Sequence, residues 1–341
     1  SATSSTVYTA TFTPSGDGAK TVDVAAGTFT DVPGTNNTAA SQYTWTYDGT
    51  SPTMTITSST VSTGATTNNG TIALTFTSSE ATANFVEADV TVTNGGLSSF
   101  SGSGTTYNAT FTPNADGAST IDVAVNKFTD AVGNNNTAAT QFTWTYDGTP
   151  ATISSTTLAG DNSTITVTMS EAVYKTNGGS GSLEASDFAL SVTNHESGYG
   201  NVSSSTPTSI SISGNQYTLG IGISGTMTGS EILQVVPVDN GIYDAYGNES
   251  AASQSNNTVT MNDQLSPSIA VTATAGGSAV SSGSTTNDQT LSLTFTSSEA
   301  TTNLISSDIT VVGGAISSFS ATSSTVYTAT FTPAADGLTS I

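Results

Sequence analysis

The sequence predicts an all-β protein made of tandem immunoglobulin-like β-sandwich domains in a linear array. Three observations predict it: a composition of strand formers with few charges, one long run of residues repeated at a fixed offset, and short alternating segments bounded by turn residues.

Composition sets the class. Thr, Val, Ile, Phe and Tyr favour strands, and a 35% hydrophobic share fills several small sandwich cores. Only 8% of residues are charged, so the chain lacks the high net charge and low apolar content of a disordered segment. The basic side chains are Lys20, Lys127 and Lys175, with no Arg, and the net charge is −22. Phosphate binding needs clustered Lys or Arg, so nucleic acid is excluded as a partner. An anionic membrane surface is disfavoured for the same reason. The balance suits cations or plain solubility. With no cysteine, the fold uses neither disulfides nor a thiolate metal site. No apolar run approaches the roughly 18 residues of a membrane span, so no membrane insertion is expected in this segment.

Internal repetition gives the organisation. Tyr8–Thr50 (YTATFTPSGDGAKTVDVAAGTFTDVPGTNNTAASQYTWTYDGT) returns without a gap as Tyr107–Thr149. Ile72–Glu80 (IALTFTSSE) is echoed by Leu291–Glu299, and Ser1–Pro14 recurs word for word at Ser320–Pro333. The linker acids Asp48, Asp147 and Asp263 mark domain starts. The expected division is 1–47, the C-terminal part of an Ig-like domain; 48–146, complete; 147–262, complete but divergent, with longer loops; and 263–341, the N-terminal part of another. On this reading the segment is cut from a longer array.

Within 48–146, alternation and turn residues place strands near Thr53–Thr57, Thr71–Ser78, Val90–Thr93, Leu97–Ser101, Thr106–Thr112, Thr120–Val125 and Gln141–Tyr146. Seven short antiparallel strands in about 100 residues suggest the immunoglobulin-like sandwich. Phe142, Trp144 and Tyr146 share one face and are expected in the core, so Trp45 and Trp144 read as packing residues rather than sugar platforms. No helix is expected. The extra length of 147–262 falls in 175–184 and 194–206, loops rich in Gly, Ser and Asn.

The motifs DGTSP, SSEA, EADVTVTNG, TPNADG and TDAVGNNNTAA, in this order and repeated, resemble the bacterial Ig-like repeats of giant extracellular adhesins and cell-surface proteins. The resemblance covers nearly the whole chain. It implies an extracellular, cell-surface, multi-domain protein, often stiffened by calcium.

Topology adds a separate argument. If strands alternate direction, the first strand's start, the second loop and the loop before the last strand share one pole of each sandwich. That pole then collects Asp48, Glu80, Asp89 and Asp130 in one domain, with Glu87 nearby. The same set recurs as Asp147, Glu171, Asp187 and Asp244, and in part as Asp263, Glu299 and Asp308. Close carboxylates with no Lys or Arg to pair them repel. Ca²⁺, which takes six to eight hard oxygen ligands in flexible geometry, resolves this, and Ca²⁺ is the expected cofactor. The competing reading is turn chemistry, since Asp and Asn bond their own backbone in turns. Asp17 and Asp116, in turns of the form xxDG, read as structural.

No catalytic constellation is present. His195, the lone histidine, reads as a surface residue, and the carboxylates recur at junctions rather than in one unique cleft, so the protein is not expected to be an enzyme. The expected function is a structural repeat region forming a calcium-stiffened stalk, sheath or filament. Its partners are then neighbouring repeats of the same long chain or like chains. The alternative is an adhesin binding module that recognises glycans or a cell surface through 147–262.

Overall fold

A computed structural model describes residues 1–82, 84–194 and 199–341; the expectation for His195 lies outside the described residues. Residues 1–47 contribute two paired strands, β1 (Gly18–Val22) and β2 (Tyr43–Tyr47). Residues 48–146 then form two sheets. One has the order β3-β5-β7, from β3 (Met54–Ser58), β5 (Ile72–Thr82) and β7 (Gly95–Pro113). The other has the order β4-β9-β8-β6, from β4 (Thr66–Thr67), β6 (Val90–Thr93), β8 (Gly117–Val123) and β9 (Phe142–Tyr146). All pairings are antiparallel except β4 with β9.

The alternation in the sequence sets the two faces. In β5 every second residue, Ile72, Leu74 and Phe76, is buried, with Ala73, Thr75 and Thr77 on the other side. The register Thr55↔Thr77, Thr57↔Thr75 and Thr75↔Asn108 lays the short polar side chains in rows on the outer face. Between the sheets lie Phe111, Ile121, Phe128, Phe142 and Trp144. Phe111 meets Trp144 edge to face at 4.8 Å, and Phe85 contacts Phe76, Phe100, Tyr107 and Phe128. Each such side chain contributes about 1.5–3 kcal/mol on burial.

Two sequence expectations are refined here. The segments expected at Leu97–Ser101 and Thr106–Thr112 are one element, β7, which doubles back near Gly102; a Cβ there would lie 2.4 Å from the Thr106 carbonyl oxygen. Three short 3-10 turns, Glu87–Asp89, Ala185–Asp187 and Ser306–Asp308, also appear, although no helix was expected. Each is closed by its own Asp, a local side-chain bond that hydrophobic periodicity does not report.

Gly95 is required by close approach. A Cβ on it would meet the Phe111 ring at 2.3 Å and the Thr112 carbonyl oxygen at 2.4 Å. Gly314 sits the same way against Phe331 and Thr332. Phe111 is fully buried and cannot yield, so Gly95→Ala is expected to destabilise 48–146 by about 1–3 kcal/mol, read by chemical denaturation.

Residues 147–262 repeat the plan with an aliphatic core. β10 (Ile153–Leu158), β11 (Thr164–Met169), β14 (Ile210–Ser213) and β15 (Gln216–Gly220) form the sheet β10-β11-β15-β14. β12 (Phe188–Thr193), β17 (Ile232–Pro237) and β18 (Thr258–Thr260) form the other, and β13 (Asn201–Val202) pairs with β16 (Ile223–Ser224). Ile165, Val167, Leu190, Leu219, Leu233 and Val235 fill the space between.

Residues 263–341 fold as one sheet, β20-β19-β21-β23-β22, from β19 (Ile269–Ala275), β20 (Ser278–Val280), β21 (Leu291–Ser297), β22 (Gly314–Ala321) and β23 (Val326–Pro333). Its inner face buries Leu293, Phe295, Tyr327 and Phe331. Ile269 and Val271, however, are 45% and 46% exposed, whereas Met54 and Ile56 at the matching positions of β3 are 4% and 8% exposed.

Candidate metal centre at the module joints

The joint before 48–146 is assembled from three places. Asp48 follows β2, Glu80 lies near the end of strand β5, and Asp130 lies in the loop between β8 and β9. One carboxylate oxygen from each lies within 4.8 Å of the others. Asp147, Glu171 and Asp244 form an equivalent triad before 147–262. In both, the loop Asp is buried and the other two acids are half-buried.

The loop builds a nest around its Asp. Asp130 Oδ1 accepts the backbone N–H groups of Val132, Gly133 and Asn134 at 2.9, 2.7 and 2.9 Å. Gly133, at φ +104°, turns the chain so that these amides converge. The Asn134 side-chain amide donates to Asp130 Oδ2 at 2.8 Å and to the Asp48 carbonyl oxygen at 3.2 Å, so it clamps the linker to the loop. Asn248 does the same at the second joint, donating to Asp244 Oδ2 at 2.7 Å and to the Asp147 carbonyl at 3.0 Å. At both joints the Asn side chain acts through its NH₂ group.

The acids of the first triad differ electrostatically. Burial pushes the Asp130 carboxyl up, but the bonds from Asn134, Gly133 and Val132 outweigh it and hold it below the usual Asp value. Glu80 has no such bonds. Desolvation, then the negative charges of Asp48 and Asp130, push its carboxyl above the usual Glu value. Glu171 is raised by desolvation and by Asp244 and Asp147. The first joint thus holds an Asp stabilised as an anion beside a Glu that resists ionisation, and the second joint also holds a Glu that resists ionisation.

The remaining predicted residues lie elsewhere. Asp89 Oδ2 accepts the Val86 N–H, Asp187 Oδ2 the Glu184 N–H, and Asp308 Oδ2 the Ile305 N–H, each closing a 3-10 turn. Asp263 Oδ1 accepts the Leu265 N–H. Among the described residues, Asp263, Glu299 and Asp308 do not form a triad. Asp17 and Asp116 tie the linkers: Asp17 accepts from the Gly49 N–H at 2.7 Å and from the Thr50 hydroxyl, and Asp116 likewise from Gly148 and Thr149.

One residue escaped the sequence reading. Asn136 is almost fully buried and satisfies its whole side chain. Its Oδ1 accepts the Lys127 and Phe128 N–H groups at 2.7 and 3.0 Å, and its Nδ2 donates to the Ala124 and Thr137 carbonyls at 2.8 and 2.7 Å. Asn37 makes the same four bonds in 1–47. The signal was there: Asn37 and Asn136 match between repeats where the clamp position changes from Thr35 to Asn134. Asn136→Ala is expected to cost about 3 kcal/mol through stranded backbone groups, measured as the urea midpoint of 48–146.

Two-sheet modules joined by acidic linkers, with the same clamp at successive joints, define a tandem sandwich-repeat protein. The sequence profile of the bacterial Ig-like domain family matches residues 48–146 and 263–340, about half of the chain, and the chain belongs to that family. Among solved structures, it is similar to the structure of surface layer protein SbsC, domains 4-9, at 14% identity, with a TM-score of 0.24. The match covers 83% of this chain and 43% of that one, so the chain spans under half the length of that structure. No curated protein matches the chain.

Proposed function

We propose that the chain is a structural repeat region of an extracellular bacterial surface protein, in which calcium locks successive modules at their joints. The observation that carries this reading is the recurrence, at two successive joints, of the same three-carboxylate group, with no ion pair to it among the described residues. The donor set suits Ca²⁺: all ligands are hard oxygens, and one of the three comes from a linker. Asp48, Glu80 and Asp130 would hold one ion, and Asp147, Glu171 and Asp244 another. Bound there, the ion supplies positive charge that offsets the mutual repulsion of the acids. The protein groups do the rest. The backbone nest orients Asp130 and Asp244, and Asn134 and Asn248 hold the linker in reach.

The role is mechanical rather than catalytic. The triads sit at repeated joints, and Trp144 is buried between Phe111 and Phe142 in the core of 48–146. Isothermal titration of the chelated chain with CaCl₂ tests the reading. Calcium uptake at both triads is expected, with proton release that grows as pH falls toward the ordinary Glu value of 4.5. Titrations without heat or proton release would overturn it.

A further inference from the structure

The last strand is held differently in the two complete modules. In 48–146, β9 pairs with β8 at five positions and is bound on its other edge by the segment that carries β4. Gly64 donates its N–H to the Thr143 carbonyl at 2.7 Å, Thr145 to Ala65 at 2.9 Å and Asp147 to Thr67 at 3.0 Å. In 147–262, β18 pairs with β17 at three positions. The connection from β10 to β11 is short, residues 159–163, and carries no counterpart of β4. One side chain takes that place. Asn162 is fully buried; its Nδ2 donates to the Asn262 carbonyl at 2.8 Å, and its Oδ1 accepts the Asn262 N–H at 2.9 Å. The Asn262 side chain donates in turn to the Ala159 carbonyl at 2.9 Å and to Asn162 Oδ1 at 3.0 Å. Asn162 sits in the left-handed region, at φ +60°, which Asn tolerates in turns. The start of β18 is weak as well. The Asn257 carbonyl accepts the Val235 N–H at 2.9 Å, so Asn257 stands opposite Val235 as Phe142 stands opposite Ile121. Asn257 is buried there, and its Nδ2 has no hydrogen-bond partner among the described residues.

We infer that the Asn162–Asn262 amide pair is the latch of the 147–262 sandwich, and that under tension this module opens before 48–146. A load carried along the chain enters 147–262 through β10 and leaves through β18. The bonds that hold β18 must break for the module to open. In 48–146 the matching strand has backbone bonds on both edges. In 147–262 the second edge is reduced to one side chain that mimics a peptide group, with one donor and one acceptor turned to Asn262. Such a pair closes the sandwich, but a single residue cannot spread the load along a strand. The unpartnered amide of Asn257 adds a desolvation cost on the same strand. The array thus contains a module that yields and lengthens ahead of its neighbour. This inference concerns the module's own closure and stands without the calcium reading.

The chain has no cysteine, so a cysteine added at each terminus attaches the whole chain to DNA handles for optical tweezers. The two openings are told apart by the length released, since 147–262 is the longer module. In EDTA, 147–262 is expected to open at the lower force. Forced opening is governed by the unfolding rate. Asn162→Ala strands the backbone groups of Asn262, so it should shorten the lifetime of 147–262 at constant load about tenfold and leave that of 48–146 unchanged. Asn257→Leu, which puts an apolar side chain where Phe142 stands in the other module, should lengthen the lifetime of 147–262. Opening of 48–146 at the lower force overturns the inference. So does an unchanged lifetime in Asn162→Ala or, if that variant does not fold, in Asn257→Leu.

Discussion

In calcium-free buffer at neutral pH, Glu80→Gln and Glu171→Gln are expected to raise the melting temperature, and in the same proteins to remove the stabilisation that added calcium gives the parent. The two effects have opposite signs and one cause. Both glutamates have raised folded-state values, so the folded state holds their protons more tightly than the unfolded state does. Above the folded value the ionised joint carries a penalty. As pH falls toward 4.5 that penalty disappears, and the calcium-free parent gains stability. Asp130 works the other way: its folded value is depressed, so its contribution is present above 3.8 and is lost as pH falls below that value. Calcium-free stability should thus peak in the acid range between these limits. Calcium removes the penalty at pH 7 and adds binding free energy, about 4 kcal/mol when free calcium exceeds Kd a thousandfold. Gln cannot ionise, so it relieves the repulsion and weakens the site together. Scanning calorimetry in EDTA and in calcium reads both effects. Gln variants that respond to calcium as the parent does would remove calcium from the account.

The second large effect is a contrast between two copies of one position. Phe128 and Phe29 occupy the same place in the repeat, yet Phe128 is 1% exposed and Phe29 61% exposed. Phe128 packs on Phe85 between two sheets, whereas residues 1–47 provide only β1 and β2. Phe128→Ala should cost about 3–5 kcal/mol and lower the melting temperature of 48–146 by more than 10 °C on the scale of about 4–8 °C per kcal/mol for a domain of this size. Phe29→Ala should leave that transition nearly unchanged. Equal losses from both substitutions would overturn this contrast.

Much of this was legible in the sequence because its signals are local. A strand's two-residue period separates Ile72, Leu74 and Phe76 from Ala73, Thr75 and Thr77 before any partner strand is known. The repeated run ties β1 and β2 to β8 and β9. The acids of the joints were legible as a group, since alternating strand direction sends certain loops to one pole. Which acids meet was not. Asp89, Asp187 and Asp308 stand beside the same pole in sequence but close their own turns, because a carboxylate three residues from a free N–H reaches it more readily than a distant linker.

By itself, the sequence determined the all-β class, the module repeat and the supply of acids without cations, since composition and period need no third dimension. Tertiary structure alone decided that Asn134 donates to the linker, that Asn136 carries its loop on four bonds, and that Asn162 closes its sandwich on Asn262. These depend on distances between residues up to about a hundred positions apart, which only the closing of two sheets over one core brings within reach.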